Sequence, residues 1–275
     1  MELEKKAKEL RAQIFKAICN GGGGHIPTAL SMVDILVVLY YKFLKIDPKK
    51  PKAVDRDRFV LSKGHGGVAL YAVLADLGFF DKEHLDTFGK KGTILGGHPD
   101  MYRVPGVEAS TGALGHGFPF AVGIALAGKM DKKPYRVFSI IGDGECQEGS
   151  IWEAALFAPQ HRLDNLVCII DHNKFQAMDR LDTIVSLAPL ADKWRAFGWA
   201  VKEVDGHNIK DLTALFESLP FEKGKPSLVV AHTIKGKGVS FMENTAIWHY
   251  RMPGKEEMAI AVKELGLEWQ NGVIR

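Results

Sequence analysis

Ile140-Ile141-Gly142-Asp143-Gly144-Glu145-Cys146-Gln147-Glu148-Gly149, followed about thirty residues later by Ile169-Ile170-Asp171-His172-Asn173-Lys174-Phe175-Gln176, decides how the chain reads. Each half is a β-branched run that ends in small or polar residues, as a buried parallel strand does where its carboxyl end opens into a loop. Open α/β sheets bind ligands at those ends. Asp143 offers a hard anionic oxygen, Asn173 a neutral amide oxygen, and the chain just after Asn173 a backbone carbonyl. With phosphate oxygens and a water, such a set completes the octahedron that Mg2+ demands. Gly142 and Gly144 leave room for phosphate to approach the backbone N–H groups. A Gly-Asp-Gly triplet alone is more often a turn, because these residues favour turns for conformational reasons. Asn173 alone reads as a turn residue after a strand.

Working outward, the same grammar repeats. Leu3, Ala7, Leu10, Ile14, Ala17 and Ile18 recur at helical steps and predict an N-terminal helix that Gly21 to Gly24 end. Residues 30–44 are nearly all apolar and predict one buried helix stopped before Pro48. Strands are predicted over 58–62, 135–141, 166–171, 199–204 and 227–232, with helices over 66–77, 116–130, 150–158, 189–197 and 208–218 between them. That alternation predicts an α/β fold, an open and mostly parallel sheet with helices on both faces. Ser150-Ile151-Trp152-Glu153 fits a helix capping box, one reading of Glu153. After Tyr250 the pattern holds a turn, a helix over 255–265 and a short tail.

Hydrophobic content of 46% with 25% charged residues over 275 residues is ordinary globular composition, and one domain spanning residues 1–275 can fill that length. A net charge of +3 gives no reason to expect a nucleic-acid surface. The first residues are charged, and no run approaches the length of a membrane span, so the expectation is a cytoplasmic protein with no membrane partner. Cys19, Cys146 and Cys168 show no disulfide or ligand spacing, which fits reduced thiols; Cys146 reads as a small buried residue. No Walker loop occurs, which weighs against a nucleotide hydrolase. His25, His65, His98 and His249 each stand beside glycine, proline or an aromatic in loop-like sequence, and could converge on one polar pocket. Their spacing lacks the short pairs of zinc motifs.

Gly-Asp-Gly, some twenty-eight residues, then Asn resembles the thiamine diphosphate motif, in the version found in transketolases. Phe59-Val60-Leu61-Ser62-Lys63-Gly64-His65, Gly97-His98-Pro99, Thr111-Gly112-Ala113-Leu114-Gly115-His116-Gly117 and Lys235-Gly236-Lys237-Gly238 also resemble transketolase segments, in transketolase order. Departures are His116 where glutamine or glutamate is common, Ala113 where proline is, and Ile26-Pro27-Thr28 after His25. The resemblance implies a thiamine diphosphate-binding fold and a reaction in which the thiazolium ylid attacks a carbonyl and stores the resulting carbanion. It implies side-chain metal ligation by Asp143 and Asn173, carbonyl ligation by Phe175, and an N–H from Gly144 to the diphosphate. The cation would be Mg2+, with Ca2+ or Mn2+ as alternatives.

By the same resemblance, Gly112 and Leu114 support the cofactor between its rings, and Gly142, His65 and His249 border it. Lys235 lies near the diphosphate, although a solvated loop charge is the other reading. His25, His65, His98 and His249 contact diphosphate or sugar, titrating near neutral pH as proton shuttles. Glu148 and Glu153 are expected at a subunit contact. A complete transketolase carries a pyrimidine-binding domain, whose glutamate protonates the aminopyrimidine, and a C-terminal domain. The expectation is therefore the N-terminal subunit of a split transketolase, with those domains on a partner chain and two copies of each chain in the assembly. It would move a two-carbon ketol unit from a ketose phosphate to an aldose phosphate. Other readings are a subunit related to 1-deoxyxylulose-5-phosphate synthase or a 2-oxo acid dehydrogenase, or a cofactor-fold protein without catalysis.

Overall fold

Five strands, each ending in the loops just quoted, form one parallel sheet in a computed structural model that describes residues 2–275. They are β1 (Arg58–Leu61), β2 (Val137–Gly142), β3 (Leu166–His172), β4 (Ala200–Asp205) and β5 (Ser227–His232), in the spatial order β1-β2-β3-β5-β4. Registers such as Ile140 with Ile169 and Ile169 with Val229 put the carboxyl ends of β2, β3 and β5 side by side. β2 is buried along its whole length and β3 up to His172, which is why they read as unbroken apolar runs. β4 lies at an edge, and its exposed Lys202 and Glu203 discourage pairing with another chain.

Alternate strand residues feed two cores. Phe138, Ile140, Ile169 and Val229 face one, and Val137, Ile141, Ile170 and Val230 the other. Over the first lie α1 (Leu3–Gly21), α2 (Ile26–Ser31), α3 (Val33–Val38), α4 (Gly67–Asp76) and α9 (Ile209–Glu217). The second is covered by α5 (Gly117–Met130), α6 (Gly149–Gln160) and α8 (Leu190–Ala196). A short α7 (Leu181–Ile184) and a late α10 (Lys255–Leu265) complete the helices. Gly22, in the left-handed region at φ 82°, ends α1 as a side chain with a Cβ would resist doing. The predicted α/β architecture stands.

Three local expectations change. The single helix over 30–44 is instead α2, α3 and a π-helical turn over Leu39–Phe43, broken at Met32. Pro27 starts α2 early, and the Ser31 hydroxyl bonds back to the Thr28 carbonyl (3.0 Å) rather than supporting a continuous helix. No capping box forms at 150–153: α6 begins at Gly149, Ser150 Oγ donates to the Gly115 carbonyl (2.6 Å), and Glu153 is exposed. The tail folds into a hairpin of β6 (Trp269–Gln270) and β7 (Val273–Ile274), clipped to α1 by both amide atoms of Asn20.

Candidate functional site

The carboxyl ends of β1, β2 and β3 open into one cavity of about 370 Å3. Asp143 and Gly144 enter from β2, Asn173 and Phe175 from β3, Lys63 and His65 from β1, and His25 from the start of α2. Gly112, Leu114, Gly142 and Glu148 line it as well, and His98 and His249 arrive on loops. The histidines converge: the His25 ring lies 5.2 Å from His65, 6.2 Å from His98 and 5.0 Å from His249. Residues scattered over more than two hundred positions thus meet in one polar pocket, the geometry expected of a site built on strand ends. Glu153 does not reach it; it sits outside on α6.

Asp143 is held rigidly. Its Oδ1 accepts the Gly144 N–H (2.7 Å), and its Oδ2 accepts the Lys174 N–H (2.5 Å) and pairs with His172 Nδ1 (3.1 Å). The Gly144 N–H, expected to face the diphosphate, is therefore engaged by the neighbouring carboxylate. Likewise the Gly142 N–H donates to Glu145 Oε2 (3.1 Å). A Cβ on Gly144 would stand 2.9 Å from Gln176 Cγ, so glycine there keeps the two loops close. Gly112, at φ 149°, lies so near the His98 ring that a Cβ would stand 2.8 Å from it.

Lys235 is buried, against the reading of a solvated loop charge. Its ammonium donates to the Gln176 carbonyl (2.7 Å) and His249 Nδ1 (3.0 Å), with the Phe175 carbonyl at 3.4 Å. Burial, with Lys63 nearby, lowers its pKa to about 8. The donor set suits a hard divalent cation sharing ligands with a diphosphate: Asp143, Asn173 Oδ1 and the Phe175 carbonyl are all oxygens carrying a single formal charge between them. An ammonium resting on the Phe175–Gln176 turn shows that its carbonyls are presented to positive charge. Gln176 Nε2 is buried without a partner and borders the same cavity, where an anionic oxygen would satisfy it. Among the described residues no cluster of three or more His, Cys, Asp or Glu could hold a metal without such added oxygens.

One electrostatic expectation is corrected. Burial, then the charges of His98, Lys235 and Lys63, lowers His25 to about pKa 4. Burial, then Lys235, His25 and Lys63, lowers His249 to about 3, and burial with Lys63 holds His65 well below its ordinary value. These imidazoles are neutral at pH 7, and offer one N–H donor and one acceptor each rather than a titrating charge. Cys146 stays inert, because burial pushes its thiol well up.

The depressed histidines bear on stability. Unfolded, they bind protons below about pH 6.5, while the folded protein resists protonation until about 4 and 3, so acidification across that window favours the unfolded chain. Glu145, raised by burial, opposes this above the ordinary carboxyl range, where the folded form takes up its proton first. Partial exposure of His25 and His249 tempers the effect to roughly 1–2 kcal/mol per pH unit, or a melting temperature about 2–8 °C lower per unit from pH 6 to 4. Thermal melts across that range check it.

Sequence reading passed over three buried groups. Lys63 and Asp171 form an ion pair with relative exposures of 1% and 0%, and Glu145 accepts the Ser62 hydroxyl and the Gly115 and Gly142 N–H groups. A charged residue closing an otherwise apolar strand, as Asp171 closes β3, was the available signal.

An α/β sheet whose strand ends gather exposed oxygen donors, a buried ammonium and four histidine rings has the architecture of a diphosphate-binding domain. A family model described as transketolase, thiamine diphosphate binding domain, matches residues 3–274. The chain belongs to that family. It is 44% identical over 263 residues to an apulose-4-phosphate transketolase subunit from Phocaeicola vulgatus, covering 96% of this chain and 93% of the relative. It is 46% identical over 268 residues to a 6-deoxy-6-sulfo-D-fructose transketolase subunit from Clostridium sp., covering 98% of each. Transketolase from Leishmania mexicana superposes with a TM-score of 0.89 at 30% identity, over 97% of this chain and 41% of that one. The chain thus spans about two fifths of that longer transketolase and the length of the subunit-sized relatives, as the N-terminal subunit of a split transketolase does.

Proposed function

We propose that this chain supplies the diphosphate-and-metal half of a transketolase that moves a two-carbon ketol unit between sugar phosphates. One observation carries the reading: Asp143, Asn173, Phe175 and the cluster of His25, His65, His98 and His249 border a single cavity at the strand ends. Asp143, Asn173 and the Phe175 carbonyl hold Mg2+, or Ca2+ or Mn2+ in its place, while Lys235 and Gln176 face the diphosphate. Bound thiamine diphosphate supplies a nucleophilic thiazolium carbon and an electron sink. Gly112 and Leu114 support the cofactor, and the clustered histidines orient donor and acceptor hydroxyls and pass protons at the sugar carbonyl oxygen. A second chain bearing the pyrimidine-binding domain completes the site, with two copies of each chain in the assembly.

Glu148 at the cavity rim and Glu153 on α6 lie at that interface. Exposed Phe120 on α5 and Leu156 and Phe157 on α6, at 48%, 61% and 41%, support a contact on this face. In this reading the pyrimidine-binding and C-terminal domains are carried by the partner. Among the described residues no helix is long and apolar enough to cross a membrane, and the three cysteines are free, which supports work in the cytoplasm.

The test mixes the purified chain with a pyrimidine-domain partner, Mg2+ and thiamine diphosphate, and follows ketol transfer between a ketose phosphate and an aldose phosphate. Activity is expected only from the mixture. Full transfer by this chain alone, or turnover of pyruvate and not of ketoses, overturns the reading.

A further inference from the structure

Asp171 sits at the end of β3, two residues before Asn173, and is wholly buried. Its Oδ2 accepts the Lys63 ammonium, the Ser31 hydroxyl (2.6 Å) and Asn173 Nδ2 (3.3 Å), while Oδ1 accepts the Thr233 hydroxyl. One carboxylate therefore joins the loop after β1, the end of α2, the end of β3 and the segment after β5. An ionised carboxylate only accepts hydrogen bonds, so the Asn173 amide must turn its NH2 toward Asp171. Its oxygen then points the other way, where it accepts the Phe175 N–H (3.1 Å) at the border of the cavity. A free asparagine amide presents nitrogen or oxygen with nearly equal ease; here the neighbour decides.

We propose that Asp171, paired with Lys63, is a positioning residue that locks the Asn173 amide with its oxygen toward the metal site. The proposal rests on the ligand role of Asn173 given above, and assigns to Lys63 and Asp171 a task that neither needs for packing. Partners of metal ligands commonly change affinity by about 10–100-fold when removed.

The replacement Asp171→Asn keeps the shape but can donate as well as accept, so it no longer dictates the Asn173 orientation. In the complex with the partner chain, magnesium is titrated by calorimetry at fixed thiamine diphosphate, with a thermal melt on every variant. Wild-type complex that binds no magnesium overturns the metal-site reading itself. Given wild-type binding, Asp171→Asn is expected to weaken magnesium about 10–100-fold, with kcat at saturating magnesium falling far less than the affinity. A folded Asp171→Asn complex within twofold of wild type overturns the positioning role. Where that variant does not fold, Ser31→Ala and Thr233→Val take its place. Ser31 shares Oδ2 with Asn173 and Thr233 holds the other oxygen, so Ser31→Ala must weaken magnesium several-fold more than Thr233→Val. Equal losses, or the reverse order, overturn the proposal.

Discussion

Replacing Asp143 with alanine is expected to reduce kcat/KM for ketol transfer by the assembled enzyme by about a thousandfold or more, with magnesium no longer saturating in the usual range. The carboxylate is the only charged group in the proposed ligand set, and charge stabilisation by a bound metal is worth several kcal/mol, at about 1.4 kcal/mol per tenfold in rate. It also organises its surroundings, accepting the Gly144 and Lys174 N–H groups. The conservative Asp143→Asn keeps an oxygen and that local bonding, so its fold should survive while magnesium affinity still falls. Steady-state kinetics over a magnesium series separates these cases. Retained affinity with lost turnover would move Asp143 from ligand to structural support.

The second large effect is on stability. Lys63→Ala leaves Asp171 charged, buried and without its cation, and breaking such a pair costs about 3–5 kcal/mol. For a chain of this size that is a fall in melting temperature of about 6–20 °C. Replacing both members with apolar residues should recover only part of the loss, because Thr233 and Asn173 would keep donors with nothing to accept them. A double-mutant cycle in thermal melts measures the coupling. A fall under about 2 °C for Lys63→Ala would show that water or a shifted side chain replaces the ammonium.

How far the chain could be read before its structure depended on the kind of signal. β2 and β3 were legible because strands buried on both faces must be continuous apolar runs, and Asp143 and Asn173 stand where those runs stop. The convergence of His25, His65, His98 and His249 was an expectation that the geometry meets, since each stands in a loop beside glycine, proline or an aromatic and these loops gather at the strand ends. The break at Met32 was not legible: hydrophobicity cannot distinguish one buried helix from two, and the Ser31 hydroxyl that helps set the break also reaches Asp171, far away in the chain. The same holds for Lys63, whose partner is 108 residues distant, and for the lowered basicity of His25 and His249, which burial and two lysines impose. Local pattern marks the candidate ligands; tertiary contact sets their surroundings and orientation.

The most direct test of the central claim is a crystal structure of the chain with its partner, magnesium and thiamine diphosphate. One cation about 2.1 Å from an Asp143 carboxylate oxygen, Asn173 Oδ1 and the Phe175 carbonyl, with diphosphate oxygens completing its shell, is the expected result. A cation and diphosphate seated elsewhere, with those three oxygens outside the coordination sphere, would contradict it.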